Sequence, residues 1–123
     1  MKIFLAQFNP IIGDLKGNAE KILDISFKAF EKSTDLVITP ELSLWGYPPK
    51  DLLFNKCLIN QQNILLNKLS IEIANNFGQL SVAIGIAERI DDIYFPNLYN
   101  SIALLEGGKW SILARKNILP TYE

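Results

Sequence analysis

Two residues of this chain have types and settings suited to work on one substrate, Glu41 and Lys116. Glu41 follows Asp35 to Thr39, a short apolar and β-prone run that Pro40 brings to an end, so the carboxylate stands at the C-terminal end of a buried strand. Loss of solvation there poises a carboxylate as a general base near neutral pH. Taken alone, a strand-end glutamate more often turns outward to solvent. Lys116, with Arg115 before it, follows a second β-prone run, and its ammonium can point back toward the same sheet edge as Glu41. Most such basic pairs merely solvate the end of a strand. Tyr47, Tyr122, Trp45 and Trp110 offer aromatic walls, a role that is less common than packing. Cys57 is the only cysteine and has no histidine to activate it, which predicts a buried or half-buried structural thiol at a loop-to-helix boundary. Asp91 and Asp92 read as turn residues.

Composition removes several classes of function. The 123 residues are 49% hydrophobic and 20% charged, ordinary for one small globular domain. Twelve basic against thirteen acidic residues leave a formal charge of -1, so no basic face is expected for phosphates, and neither nucleic acid nor a membrane surface is an expected partner. With one cysteine and no histidine, an internal disulfide and a structural zinc site are ruled out and no metal is expected. Gln7 and Asn9 interrupt the N-terminal apolar run before it becomes a signal-peptide core, and no apolar stretch reaches membrane-spanning length, so a cytoplasmic protein is expected. Neither phosphate-binding glycine motif occurs, and a serine triad fails for want of histidine.

The elements that must position Glu41 and Lys116 follow from periodicity. Residues 2–8 read as a buried first strand. The turn formers Asn9, Pro10, Gly13 and Asp14 follow, and then a helix that begins at an N-cap Asn18 and buries Ala19, Ile22, Leu23, Ser26 and Phe30. After the strand at 35–39, segment 44–54 is expected to be an ordered loop folding back over the strand end. A second helix at about 59–76 faces the core with Leu66, Leu69, Ile73 and Phe77 and places Gln61, Gln62, Lys68 and Glu72 elsewhere. Leu80, Val82, Ile84 and Ile86 alternate with Ser81, Ala83, Gly85 and Ala87, a strand whose small-residue face permits close approach of another layer. Residues 98–105 and 109–114 form a hairpin turned by Gly107 and Gly108. The order β-α-β-α-β-β-β predicts a mixed α/β sheet with both main helices on one face and the other face in need of a partner.

The blocks AQFNPIIGDLKGN, ITPELSLWGYPPKDLL and YNSIALLEGGKWSILARKNILPTYE, in that order and spanning the chain, resemble the nitrilase or carbon–nitrogen hydrolase superfamily. Within it, GYPPKDLL and NILPTYE are most similar to the N-terminal glutaminase domains of glutamine-dependent NAD synthetases. The resemblance implies a Glu-Lys-Cys triad, its base falling on Glu41 and its oxyanion-stabilising lysine on Lys116. The base deprotonates the cysteine, the thiolate attacks the glutamine side-chain amide, ammonia leaves, and water hydrolyses the thioester. Tyr47 and Tyr122, each six residues beyond a triad member, match positions that help hold glutamine.

The sequence departs from the superfamily pattern where the nucleophile is concerned. The family's cysteine lies in a later block, Cys57 does not match it, and residues 1–123 are therefore expected to be a partial domain, inactive alone. They would supply the first half of a four-layer α-β-β-α sandwich. The synthetase domain, to which ATP, Mg and nicotinic acid adenine dinucleotide would belong, is expected to lie outside them; the amidase half needs no cofactor. The resemblance also implies homo-oligomers of the complete protein and marginal stability of these residues alone. Alternatives are another superfamily amidase or nitrilase, such as an omega-amidase, and a non-catalytic interaction module.

Overall fold

The computed structural model describes residues 1–47, 49, 52, 55–91 and 97–117. Five strands and two helices follow in the order β1 (Ile3–Leu5), α1 (Leu15–Glu31), β2 (Leu36–Ile38), α2 (Lys56–Phe77), β3 (Ser81–Ile90), β4 (Asn97–Glu106) and β5 (Lys109–Asn117). The sheet runs β1-β2-β3-β4-β5, with β1, β2 and β3 parallel and the last two pairings antiparallel. Helical crossovers join the parallel strands and a tight turn joins the last pair, as the connection lengths require. That turn is made by Gly107 and Gly108 at φ 62° and 81°, angles at which a side chain is strained.

One row of side chains crosses all five strands on the helix face: Phe4, Val37, Val82, Leu105 and Trp110 occupy paired positions. Val82, Ile84, Ile86, Ala103 and Leu105 are buried there together with Ile22 of α1 and with Leu66, Leu69, Ile73 and Phe77 of α2. The opposite face stays open. Ile3, Leu5, Ile38 and Ile102 are exposed on it, Leu5 to 70%. The expected first strand is thus shorter than residues 2–8 and only half buried, because β1 is a sheet edge with one uncovered side.

Four helix details differ from the sequence reading. Asp14, not Asn18, caps α1, its side chain accepting from Gly17 N. Asn18 is instead fully buried one turn inside, where its amide brackets the Ile11 backbone, accepting from N and donating to O, and also donates to Leu44 O at 3.0 Å. Phe30 is 45% exposed, its ring resting against that of Phe77. Helix α2 starts earlier than expected, capped by Asn55, and Gln62 is buried rather than turned away from the core. No helix among the described residues is long and apolar enough to cross a membrane.

Candidate active site

Beyond Ile38, strand β2 leaves the ladder, and the turn that follows takes over pairing with β3. Thr39 donates from both N and Oγ1 to Ala83 O, Ser43 Oγ accepts from Gly85 N at 3.1 Å, and Leu44 N donates to Gly85 O. Farther along, the Gln62 side chain continues the role, its Oε1 accepting from Ala87 N and its Nε2 donating to Ala87 O at 2.6 Å. Trp45 Nε1 donates to the same Oε1. A primary amide has the donor and acceptor of a peptide group, so one buried glutamine stands in for a missing strand residue.

This turn carries Glu41. Gly85 lets it approach the sheet: a Cβ at that position would stand 2.3 Å from Leu42 N and 2.4 Å from Pro40 O. The layer that the small-residue face of β3 accepts is therefore the chain's own Glu41 turn. Leu42, directly after the carboxylate, is buried at φ 50°, a left-handed conformation that costs a branched side chain about 1 kcal/mol or more. Its burial with Leu44 and Trp45 in the core holds the turn in place.

Lys116 reaches the open face through an irregularity in β5. Ala103 faces Ile112, but Ile102 faces Ala114, so Leu113 is an extra residue in the ladder. Such a bulge reverses the in-and-out alternation of everything after it. Arg115 consequently shares the helix face with Ser101, and Lys116 lies opposite Asn100 on the open face.

There Glu41 Oε1 receives two donors. Lys116 Nζ approaches to 3.4 Å and Asn100 Nδ2 makes a shorter contact with the same oxygen. Oε2 accepts no hydrogen bond among the described residues. The side chains of Glu41 and Lys116 are 50% and 74% exposed, so the loss of solvation expected for Glu41 is only partial here. They line a broad hollow of about 830 Å³ on the open face, walled by Ile38, Ile102, Leu104 and Leu113 among others.

Of the residues expected to act, the fold brings together Glu41 and Lys116, separated by 75 positions in the chain. Tyr47 is exposed and does not line the hollow, while Tyr122 lies outside the described residues, as does Asp92. Asp91 pairs with Arg89 and Lys56 away from the site, and chiefly the hydrogen bond from Arg89 holds its carboxyl below the ordinary carboxylate value. Cys57 is exposed in the first turn of α2 and does not line the hollow, contrary to a buried thiol. Asn100 escaped sequence reading, although an asparagine inside a β-prone run is unusual enough to have marked it. Among the described residues, no three His, Cys, Asp or Glu side chains gather to hold a metal ion.

The family model for carbon–nitrogen hydrolase matches residues 2–123. A glutamine-dependent NAD(+) synthetase of Synechocystis is 37% identical over 121 residues, covering 98% of this chain and 22% of that protein. The synthetase of the same name from Thermotoga maritima is 32% identical, covering 99% of this chain and 20% of its own length. The chain thus spans about a fifth of the length of these curated relatives. Among solved structures, the glutamine-dependent NAD+ synthetase of Acinetobacter baumannii superposes with a TM-score of 0.77 at 31% identity, over 98% of this chain and 22% of that one. An amidase from Nesterenkonia shares the fold at a TM-score of 0.72 and 19% identity, over 100% of this chain and 44% of that one.

Proposed function

Since the chain belongs to the carbon–nitrogen hydrolase family, we propose that residues 1–123 form the N-terminal part of the glutamine-hydrolysing portion of a glutamine-dependent NAD synthetase. The observation that carries this reading is the convergence of Lys116 and Asn100 on one oxygen of Glu41 at the open sheet face. The names and coverage of the relatives support the choice of glutamine over other amides.

In this reading Glu41 takes the thiol proton of a cysteine on Oε2, the oxygen that Lys116 and Asn100 leave unengaged. The thiolate attacks the glutamine side-chain carbonyl, whose electron pair moves onto oxygen and is balanced by the Lys116 ammonium. Collapse of that intermediate expels ammonia, which leaves with the proton that Glu41 held. Water then adds to the thioester, restoring the thiol and releasing glutamate.

The nucleophile is not Cys57, which sits in the first turn of α2 and away from the hollow. A cysteine supplied from outside residues 1–123 completes the site, and these residues alone turn over no glutamine. The hollow sets Asp35, Glu41 and Glu106 beside Lys116 and Arg115 between apolar walls, a mixed lining without the glycine-rich backbone cradle that a nucleoside triphosphate needs. ATP, Mg and nicotinic acid adenine dinucleotide act in a part of the protein that these residues do not include.

The test reads the coding sequence adjoining these residues for a cysteine block and measures ammonia release from glutamine. Activity is expected in the polypeptide that carries the block and is lost in its Glu41→Gln and Lys116→Met variants. Ammonia release by residues 1–123 alone would overturn the assignment of the nucleophile.

A further inference from the structure

The bulge at Leu113 poses a question of register. A regular β4–β5 ladder continued from the Ala103 and Ile112 pair would put Arg115 opposite Asn100 and Lys116 opposite Tyr99. The guanidinium would then sit beside Glu41 and the ammonium beside Glu88, since Glu88 is the other neighbour of Tyr99. Both registers match positive charge to each carboxylate, so charge alone does not choose between them.

Geometry does choose. In the bulged register Arg115 meets Glu88 through two bonds, Nε to Oε1 at 3.0 Å and Nη2 to Oε2 at 3.1 Å. Ser101 Oγ donates to Oε1 at 2.6 Å, and the guanidinium carbon lies 5.7 Å from the centre of the Tyr99 ring. A planar fork satisfies a carboxylate and an aromatic face together, whereas an ammonium is a point charge that forms no such pair of parallel bonds. Glu88 is only 19% exposed, so its partner matters more than it would at a fully solvated site.

We propose that Glu88 and Arg115 form a register lock, holding β5 in its bulged pairing so that Lys116, and not Arg115, faces Glu41. Both are positioning residues that act through the strand. The catalytic meaning of the lock rests on the function proposed above, but the register itself is read without substrate, so the two ideas fail separately.

Two engineered disulfides report the two pairings in the complete polypeptide that carries the cysteine block, with Cys57 and its other native cysteines replaced by serine. Ile102→Cys with Ala114→Cys joins residues opposite each other in the bulged register. Leu98→Cys with Asn117→Cys joins residues that would face each other only in the regular one. Neither pair alters Glu88, Arg115, Tyr99 or Lys116. With the lock intact, the first disulfide forms in clear excess over the second. Arg115→Lys, which keeps the charge but not the planar fork, and Glu88→Gln each lower the ratio of first to second about fivefold, as the loss of the two-bond pairing would. Deleting Leu113 makes the regular ladder place Lys116 opposite Asn100, and the ratio returns to its starting value in both variants. An unchanged ratio in the Arg115→Lys and Glu88→Gln variants, or a ratio still lowered once Leu113 is deleted, would overturn the lock.

Discussion

Asn100 and Lys116 lie directly opposite each other across β4 and β5, and both donate to the same oxygen of Glu41. The three residues come from a turn and two strands, so the carboxylate is aimed by a neutral donor as well as by the cation.

That pairing makes Asn100 testable in the glutamine-hydrolysing protein. Asn100→Leu keeps the volume and removes the donor. A hydrogen bond to a charged group is worth about 1.5–3 kcal/mol, so kcat should fall about 10- to 100-fold. KM should change far less, and the melting temperature should stay close to the parent's. A loss confined to KM would instead make Asn100 a substrate contact.

Gly85→Ala should damage the Glu41 turn directly. The new methyl meets backbone atoms of Pro40 and Leu42, which cannot swing aside as a flexible side chain would. Destabilisation of about 2–4 kcal/mol is expected by denaturant titration, with a larger loss of activity than stability alone explains. Wild-type stability in this variant would mean that the turn can rise off the sheet at little cost.

Gln62→Leu fills the same space without the amide. It strands Ala87 N–H, Ala87 C=O and Trp45 Nε1–H in the core, each without a replacement partner among the described residues. At about 1–3 kcal/mol for each buried group left unpaired, the variant should fail to fold cooperatively. Near-UV circular dichroism at the tryptophan band reads the outcome.

The open face predicts how residues 1–123 behave alone. Ile3, Leu5, Ile38, Ile102 and Leu113 are exposed there on one sheet. Isolated chains should bind a hydrophobic dye strongly and sediment as concentration-dependent oligomers. A monomer with a cooperative melt and no dye binding would contradict this.

Much of this was legible in the sequence where patterns are local. Alternation in 80–87, the helical stripe of Leu66, Leu69, Ile73 and Phe77, and the paired glycines at 107–108 each specify their element without help from the rest of the chain. The strand-end position of Glu41 was legible for the same reason. What escaped depends on contacts between distant segments. Asn18 has the chemistry of a cap, but its amide fits better between Ile11 and Leu44. Gln62 looks like a surface residue until the edge of β3 is seen to lack a partner. The bulge at Leu113 is invisible to periodicity, because it consists of a mismatch in length between two strands.

Gln62 has a consequence for aggregation. The stretch of β3 beyond Ala83 would otherwise present unpaired backbone groups, the template on which a foreign strand can grow. Native proteins usually blunt such edges with charge or proline, but here a helix side chain occupies the vacant pairing positions. Transient undocking of α2 would therefore do more than loosen the core, because it would uncover a sticky seam beside the Glu41 turn.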